Sequence, residues 1–266
     1  MRPGAAASPP MPCADSSPGP QYLYGITTSG AAVPSGLHGT GHPAGRVTLL
    51  RHGAIAAIVS GVRADQPLGT PADARAHANV LAVMAEAVSV LPMRFGAVMA
   101  DGDAIVDELL APHHDTLAAT LARLDGHQQF TIKGKYIGQA ALREVLAAEP
   151  EVRRLRQLLV GRDINIFSRE SIRLGELVVT AMERKRIADL QMLVDALQPH
   201  AAAIAPRTPS AADGAVDAAF LVRRRQRPAF EQAAEELARH WQSRIRLRLL
   251  GPLAPHDFTG TLAGGG

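Results

Sequence analysis

Over residues 244–250 the chain reads Arg-Ile-Arg-Leu-Arg-Leu-Leu. Successive side chains of a strand point to opposite faces, so this run lines one face with arginines and the other with Ile245, Leu247 and Leu249. A strand that is apolar on one face must lie on something apolar. The requirement excludes an all-helical fold. It asks the rest of the chain for strands to pair with this one and for helices to cover them.

The segments upstream supply both. Residues 128–136 read as a strand, and Leu142, Val145, Leu146, Val152, Leu155 and Leu159 then recur at helical spacing, with Pro150 breaking the run. Over residues 169–198 the stripe Ile172, Val179, Met182, Leu190, Leu193, Leu197 predicts a longer helix, with Glu183-Arg184-Lys185-Arg186 mainly on its other face. About thirty residues at 1.5 Å each span about 45 Å, which outruns a small core. This helix is expected to form a hairpin with the helix before it, or to project in part. Residues 199–214 read as an Ala/Pro-rich loop or linker. Val216, Ala218, Phe220 and Val222 then alternate as a strand that ends at Arg223-Arg224-Arg225-Gln226-Arg227. Pro228 suits a first helical turn, and Phe230, Ala233, Leu237 and Trp241 follow on one face. Strand, two helices, strand, helix, strand is the order of a modified ferredoxin-like unit carrying a long helical hairpin.

The first half is also α+β. Residues 1–20 are Pro, Ala, Ser and Gly with almost no large apolar side chain, and are expected to be a disordered leader. Residues 21–28 suit a first strand, and residues 46–51 and 54–60 a hairpin turned at His52-Gly53. Ala74, Ala78, Leu81, Met84, Ala85 and Val88 mark a helix with Thr70 as N-cap and Pro71 in its first turn. Residues 90–99, Val-Leu-Pro-Met-Arg-Phe-Gly-Ala-Val-Met, read as a strand entered through Pro92, with Arg94 on its solvated face and Gly96 at a bulge or close approach. Arg94 is expected to order this half by pairing with carbonyls or a carboxylate. A second helix follows through Val106, Leu109, Leu110, Leu117, Leu121 and Leu124, kinked or split at Pro112 and closed by Asp125-Gly126. At 266 residues two domains are expected: 21–126, and 127–258 with a flexible tail over 259–266.

Linear signatures of catalysis are missing. The chain has no phosphate-binding or dinucleotide-binding glycine loop, no H-E-x-x-H and no G-x-S-x-G. One cysteine, Cys13, excludes disulfide frameworks and cysteine-based zinc sites within the chain. His38 and His42 lie in a loop too rich in glycine for helical alignment, and His113, His114 and Asp115 are consecutive and diverge. Asp101 and Asp103 read as helix-capping carboxylates, and His77 as a packed or hydrogen-bonded histidine. No catalytic, cofactor or metal site is therefore expected. No apolar run reaches membrane-spanning length, and the leader lacks a secretory pattern, so a cytosolic chain is expected. Net charge is +3, and the arginines at 223–225, 227, 244, 246 and 248 raise the alternative of a basic, ferredoxin-like nucleic-acid-binding protein. Only 4% of residues are aromatic, and Phe130, Tyr136 and Phe220 form no stacking pattern, which disfavours that alternative.

Four stretches, in order, resemble the GvpL/GvpF family of gas vesicle proteins: Tyr22-Leu23-Tyr24-Gly25-Ile26, Ala56-Ala57-Ile58-Val59-Ser60, Val90-Leu91-Pro92-Met93-Arg94-Phe95-Gly96, and Gly251-Pro252-Leu253-Ala254-Pro255-His256-Asp257-Phe258. The family's end segment usually has proline where Ala254 stands and an aromatic where His256 stands, and a frequent Glu is replaced at His127 or Gln128. These departures leave the L-type or F-type branch open. The resemblance implies a non-enzymatic structural component or assembly factor of the gas vesicle, located at the vesicle in the cytoplasm. It also implies binding to the main shell protein, gas vesicle protein A, and to other accessory proteins during nucleation and growth.

Overall fold

The structure is a computed structural model that describes residues 19–65, 67–159 and 169–260. The chain forms two compact units: residues up to Asp125 together with those from Ala254 onward, and Gly126–Leu253. The leader expected over 1–20 and the tail expected over 259–266 fall mostly outside the described residues, which include only 19–20 of the first and 259–260 of the second.

The first unit is built on β1 (Gln21–Thr28), the strand that β-branched and aromatic composition predicts. On one side β1 pairs antiparallel with β3 (Ile55–Gly61), which pairs in turn with β2 (Thr48–His52) in the expected hairpin. On the other side β1 pairs with two short pieces, β4 (Val90–Pro92) at Gly25 to Thr27 and β5 (Val98–Met99) at Gln21 and Tyr22. The single strand expected over 90–99 is thus interrupted. Pro92 is tolerated because its nitrogen points away from β1; the Met93 N–H still donates to the Tyr24 carbonyl (2.8 Å), and Gly96 then turns the chain at φ +92, a region open to glycine. Helix α1 (Pro71–Ala87) starts at the predicted Thr70 cap and supplies Val80, Leu81 and Met84 to a core with Tyr22, Tyr24, Ile58 and Val90. The alternate residues Leu23, Ile26, Ala57 and Val59, outside that cluster, are buried too. Helices α2 (Gly102–Ile105) and α3 (Ala111–Leu124) are joined by a π turn over Val106–Leu110, and α3 packs on β1, β3 and β4. The wide turn lies just ahead of Pro112, whose ring an ordinary α-turn would press against the carbonyl four residues back.

In the second unit β6 (His127–Tyr136) is followed by α4 (Ala140–Ala148), α5 (Pro150–Leu159), α6 (Arg169–Leu197), β7 (Ala203–Pro206), β8 (Gly214–Arg223), α7 (Arg227–Trp241) and β9 (Ile245–Leu253). The sheet order is β7-β8-β6-β9, antiparallel throughout. Phe130, Ile132, Phe220, Val222, Phe230, Trp241 and Ile245 form its core with Leu193 and Leu197 of α6.

Three expectations change here. The linker of 199–214 contains β7, a short edge strand of Ala-Ile-Ala-Pro whose alanines and proline carry little strand propensity. The segment from Gly251 is not wholly irregular: β9 continues to Leu253 through a register shift opposite Gln129 to Thr131. Gly251 is needed there, since a Cβ at this residue would lie 2.7 Å from a ring carbon of Phe130. The following residues, expected with the second half, join the first unit, where Ala254 is buried among Tyr22, Val80 and Met84.

Candidate functional site

The turn between β4 and β5 carries Met93, Arg94, Phe95 and Gly96, and a chain of hydrogen bonds holds it. The Gly96 N–H donates to the Tyr22 hydroxyl oxygen (2.9 Å), and that hydroxyl lies 3.0 Å from Nδ1 of His77. His77 also hydrogen-bonds the backbone of Met93. A neutral imidazole that donates one ring N–H to the Met93 backbone and accepts from Tyr22 at Nδ1 satisfies both contacts. The rings pack as well: Phe95 lies edge-on to His77 with centroids 5.7 Å apart, and His77 stacks on Tyr24 at the same separation. Tyr22 and Tyr24 are contributed by β1 and His77 by the buried side of α1.

Electrostatics favour the neutral forms of Tyr22 and His77 and the ionised form of Asp73. Burial pushes the Tyr22 hydroxyl up to about 12. Burial, and next the nearby His256, push the His77 imidazole below its ordinary value. Asp73, one turn before His77 on α1, is held down at about 2, chiefly by its hydrogen bond with the Thr70 hydroxyl and further by the N–H groups of Thr70, Gly69 and Gly41. A tyrosine, a histidine and an aspartate in one neighbourhood suggest acid–base chemistry. Here the hydroxyl is hard to ionise, both imidazole nitrogens are committed, and Asp73 is spent on its cap. The arrangement builds a rigid turn.

What the turn presents is Arg94 and Phe95. Both are exposed, Phe95 at 41%, and Val98 next to them is exposed as well. Arg94 therefore lies in the turn and not on the solvated face of a strand, as its apolar neighbours had suggested. His77 is packed and hydrogen-bonded as read. Asp101 caps α2 by accepting from the Ala104 N–H (2.8 Å). His114 accepts from the Ala54 N–H at the β2–β3 turn (3.2 Å) and pairs with Asp115, while His38 bonds the Gly36 carbonyl. Among the described residues no group of three or more His, Cys, Asp or Glu is placed to hold a metal ion, and no helix is long and apolar enough to cross a membrane.

In the second unit the structure joins residues that periodicity left apart. Asp189 of α6 is 1% exposed and accepts from the Tyr136 hydroxyl (2.7 Å) and from Arg244 (2.5 Å). Lys185 stands 4.0 Å from it and also pairs with Glu144. Arg244 thus leaves the exposed arginine face to which alternation assigned it. A signal was present: Asp189 precedes Leu193 by four residues and Leu197 by eight, so a carboxylate stands on the apolar stripe. Phe130 and Phe220 lie fully in the helix-covered core, with Tyr136 beside them, so none offers a ring to a base.

A family model described as gas vesicle synthesis protein GvpL/GvpF matches residues 20–260. Gas vesicle protein F of Streptomyces sp. (strain CB03234) is 32% identical over 241 residues, covering 89% of this chain and 98% of that protein. Gas vesicle protein F of Microcystis aeruginosa (strain PCC 7806) is 26% identical over 239 residues, covering 89% and 96%. The crystal structure of the gas vesicle protein GvpF from Microcystis aeruginosa superposes with a TM-score of 0.74, covering 90% of this chain and 98% of that one.

Proposed function

The chain belongs to the GvpL/GvpF family of gas vesicle synthesis proteins, and from that premise we propose that it serves gas vesicle assembly as a non-enzymatic accessory protein or minor shell component. It acts in the cytoplasm at the vesicle and binds the main shell protein A and other accessory proteins as vesicles nucleate and grow. The observation that carries this reading is the extent of the family match, which runs over both compact units from residue 20 to residue 260.

Two exposed surfaces suit such binding. One is the turn between β4 and β5, where Phe95 and Val98 are exposed. The other is on α6, where Ile172, Val179 and Ile187 fall within an arc of about 80° at 100° per residue and remain exposed, Ile187 at 69%. Exposed apolar side chains in register on a helix are a common protein-docking surface. In the same reading the two units are separate domains, and Gly126–Leu253 is a modified ferredoxin-like domain. Its strands run β6, β7, β8, β9 with helices after β6 and β8, and its sheet order β9-β6-β8-β7 is the ferredoxin-like order.

The test is a deletion strain of a vesicle-forming cell together with a pull-down of the tagged chain at low and high salt. Vesicles are expected to be few or misshapen without the gene, and shell protein A or accessory proteins to co-purify. Normal vesicles in the deletion strain, with no vesicle component recovered, would end this reading. Recovery of nucleic acid alone would favour the nucleic-acid alternative.

A further inference from the structure

The sheet of the second unit ends on β9, which pairs with β6 and with no further strand among the described residues. Its outer edge keeps backbone groups that another strand can take up. Pairing with β6 sets Arg248 directly opposite Lys133, and Arg246 directly opposite Lys135. Like charges in directly opposed positions destabilise a sheet, so the fold holds two unfavourable pairs side by side. The lysines have acids of their own: Lys133 Nζ lies 3.4 Å from Asp217, and Lys135 Nζ 3.1 Å from Asp213. Arg246 and Arg248 are exposed, and among the described residues no carboxylate lies within ion-pair distance of either. On the other face of the same strand Leu249 is 37% exposed.

We propose that β9 is the docking edge for an extended acidic segment of a protein partner, added to the sheet as a further strand. A strand laid along β9 satisfies the open backbone groups, and its alternate residues fall opposite Arg246 and Arg248. Carboxylates two residues apart answer the two arginines, and an apolar side chain between them covers Leu247 and Leu249. A second copy of the chain fits badly, because antiparallel pairing of two β9 edges about Leu247 sets Arg246 against Arg248 on both sides. Nucleic acid fits badly too, because Phe130, Tyr136 and Phe220 face the core and leave the arginine face without rings. The arginines that guard the edge against self-pairing select a partner of opposite charge. The site stands on the geometry of this unit and is independent of the vesicle role.

The probe is a fluorescein-labelled peptide alternating glutamate with valine and threonine, matched to the nine residues of β9 and titrated with the full chain by fluorescence anisotropy. A matched peptide with lysine for glutamate and a labelled single-stranded RNA are titrated alongside. The acidic peptide is expected to bind saturably and more weakly at high salt. Arg246→Gln/Arg248→Gln, which removes two like-charge pairs from exposed positions, is expected to keep or raise its Tm and lose about tenfold or more in affinity. Arg246→Glu/Arg248→Glu is expected to prefer the lysine peptide. Any of the following would overturn the proposal: no saturable binding by the unaltered chain, equal affinity for the lysine peptide, undiminished binding by the glutamine variant, tighter binding of the RNA, or a dimer in sedimentation that the peptide dissociates.

Discussion

His77 and Tyr22 tie the turn at residues 93–97 to the core of the first unit, so the family's marker stretch is shaped by residues distant in sequence. Tyr22→Phe removes the oxygen that accepts from Gly96 and the proton shared with His77. The cost of leaving such groups without partners is about 1–3 kcal/mol, read as a lower urea midpoint. Gly96→Ala is expected to cost about 1–2 kcal/mol, because φ +92 strains any L side chain. His77 also gives stability a pH dependence. Its folded pKa is depressed, so the unfolded chain binds the proton first. The contribution is whole above about pH 6.5 and is lost as pH falls through the folded value. Burial depresses His256 as well, and it adds in the same direction. The urea midpoint is expected to be lower at pH 5.5 than at pH 7.5, with a smaller difference in His77→Gln; an equal difference would move the effect to other groups. Arg94→Ala is expected to lower Tm and keep partner recovery in a pull-down. The opposite pattern would make Arg94 a partner contact.

At the scale of the element, α6 has to do two things along its 29 residues. Its C-terminal half lies on the sheet with Leu193 and Leu197 in the core, while further back Ala181 is buried and Ile172 and Val179 are not. A ten-residue strand spans about 33 Å and this helix about 44 Å, so one stripe cannot meet the sheet along the whole length. The predicted stripe is therefore right where the sheet reaches and exposed where α4 and α5 take over as neighbours. Asp189→Ala would leave Arg244 and the Tyr136 hydroxyl without their buried partner, and is expected to destabilise the unit by about 3–5 kcal/mol in urea unfolding. Val179→Asp/Ile187→Asp changes two exposed positions and is expected to shift stability by no more than about 0.5 kcal/mol per site. If α6 docks a vesicle component, the same variant loses it in the pull-down at unchanged Tm.

For the whole molecule, the chain leaves the first unit at Asp125 and returns to it at Ala254. Ending the chain after Leu253 removes Ala254 from the core around Tyr22 and Met84. Hydrogen exchange is expected to speed up at Val80 and Met84 while β6 and β8 stay protected; unchanged exchange in the first unit would mean the return segment adds nothing to it. The return was invisible in the residues themselves, because Gly251-Pro252-Leu253-Ala254 reads as an irregular end wherever it packs. The β7 strand was hidden for the related reason that Ala203 to Pro206 become a strand only through the neighbour that β8 provides. The residues alone did determine that the chain is mixed α and β, where β1, α1, β6, α7 and most of β9 lie, how α1 is capped, that Pro112 distorts its helix and that Pro150 separates two. All of these follow from local periodicity and from backbone chemistry within a few residues. Only the tertiary structure decided that residues 90–99 split around a turn, that Tyr22 and His77 clamp it, that Asp189 and Arg244 meet, and that Arg246 and Arg248 face lysines. Each of these depends on which distant segments become neighbours, and burial energy accumulated over the whole core settles that choice.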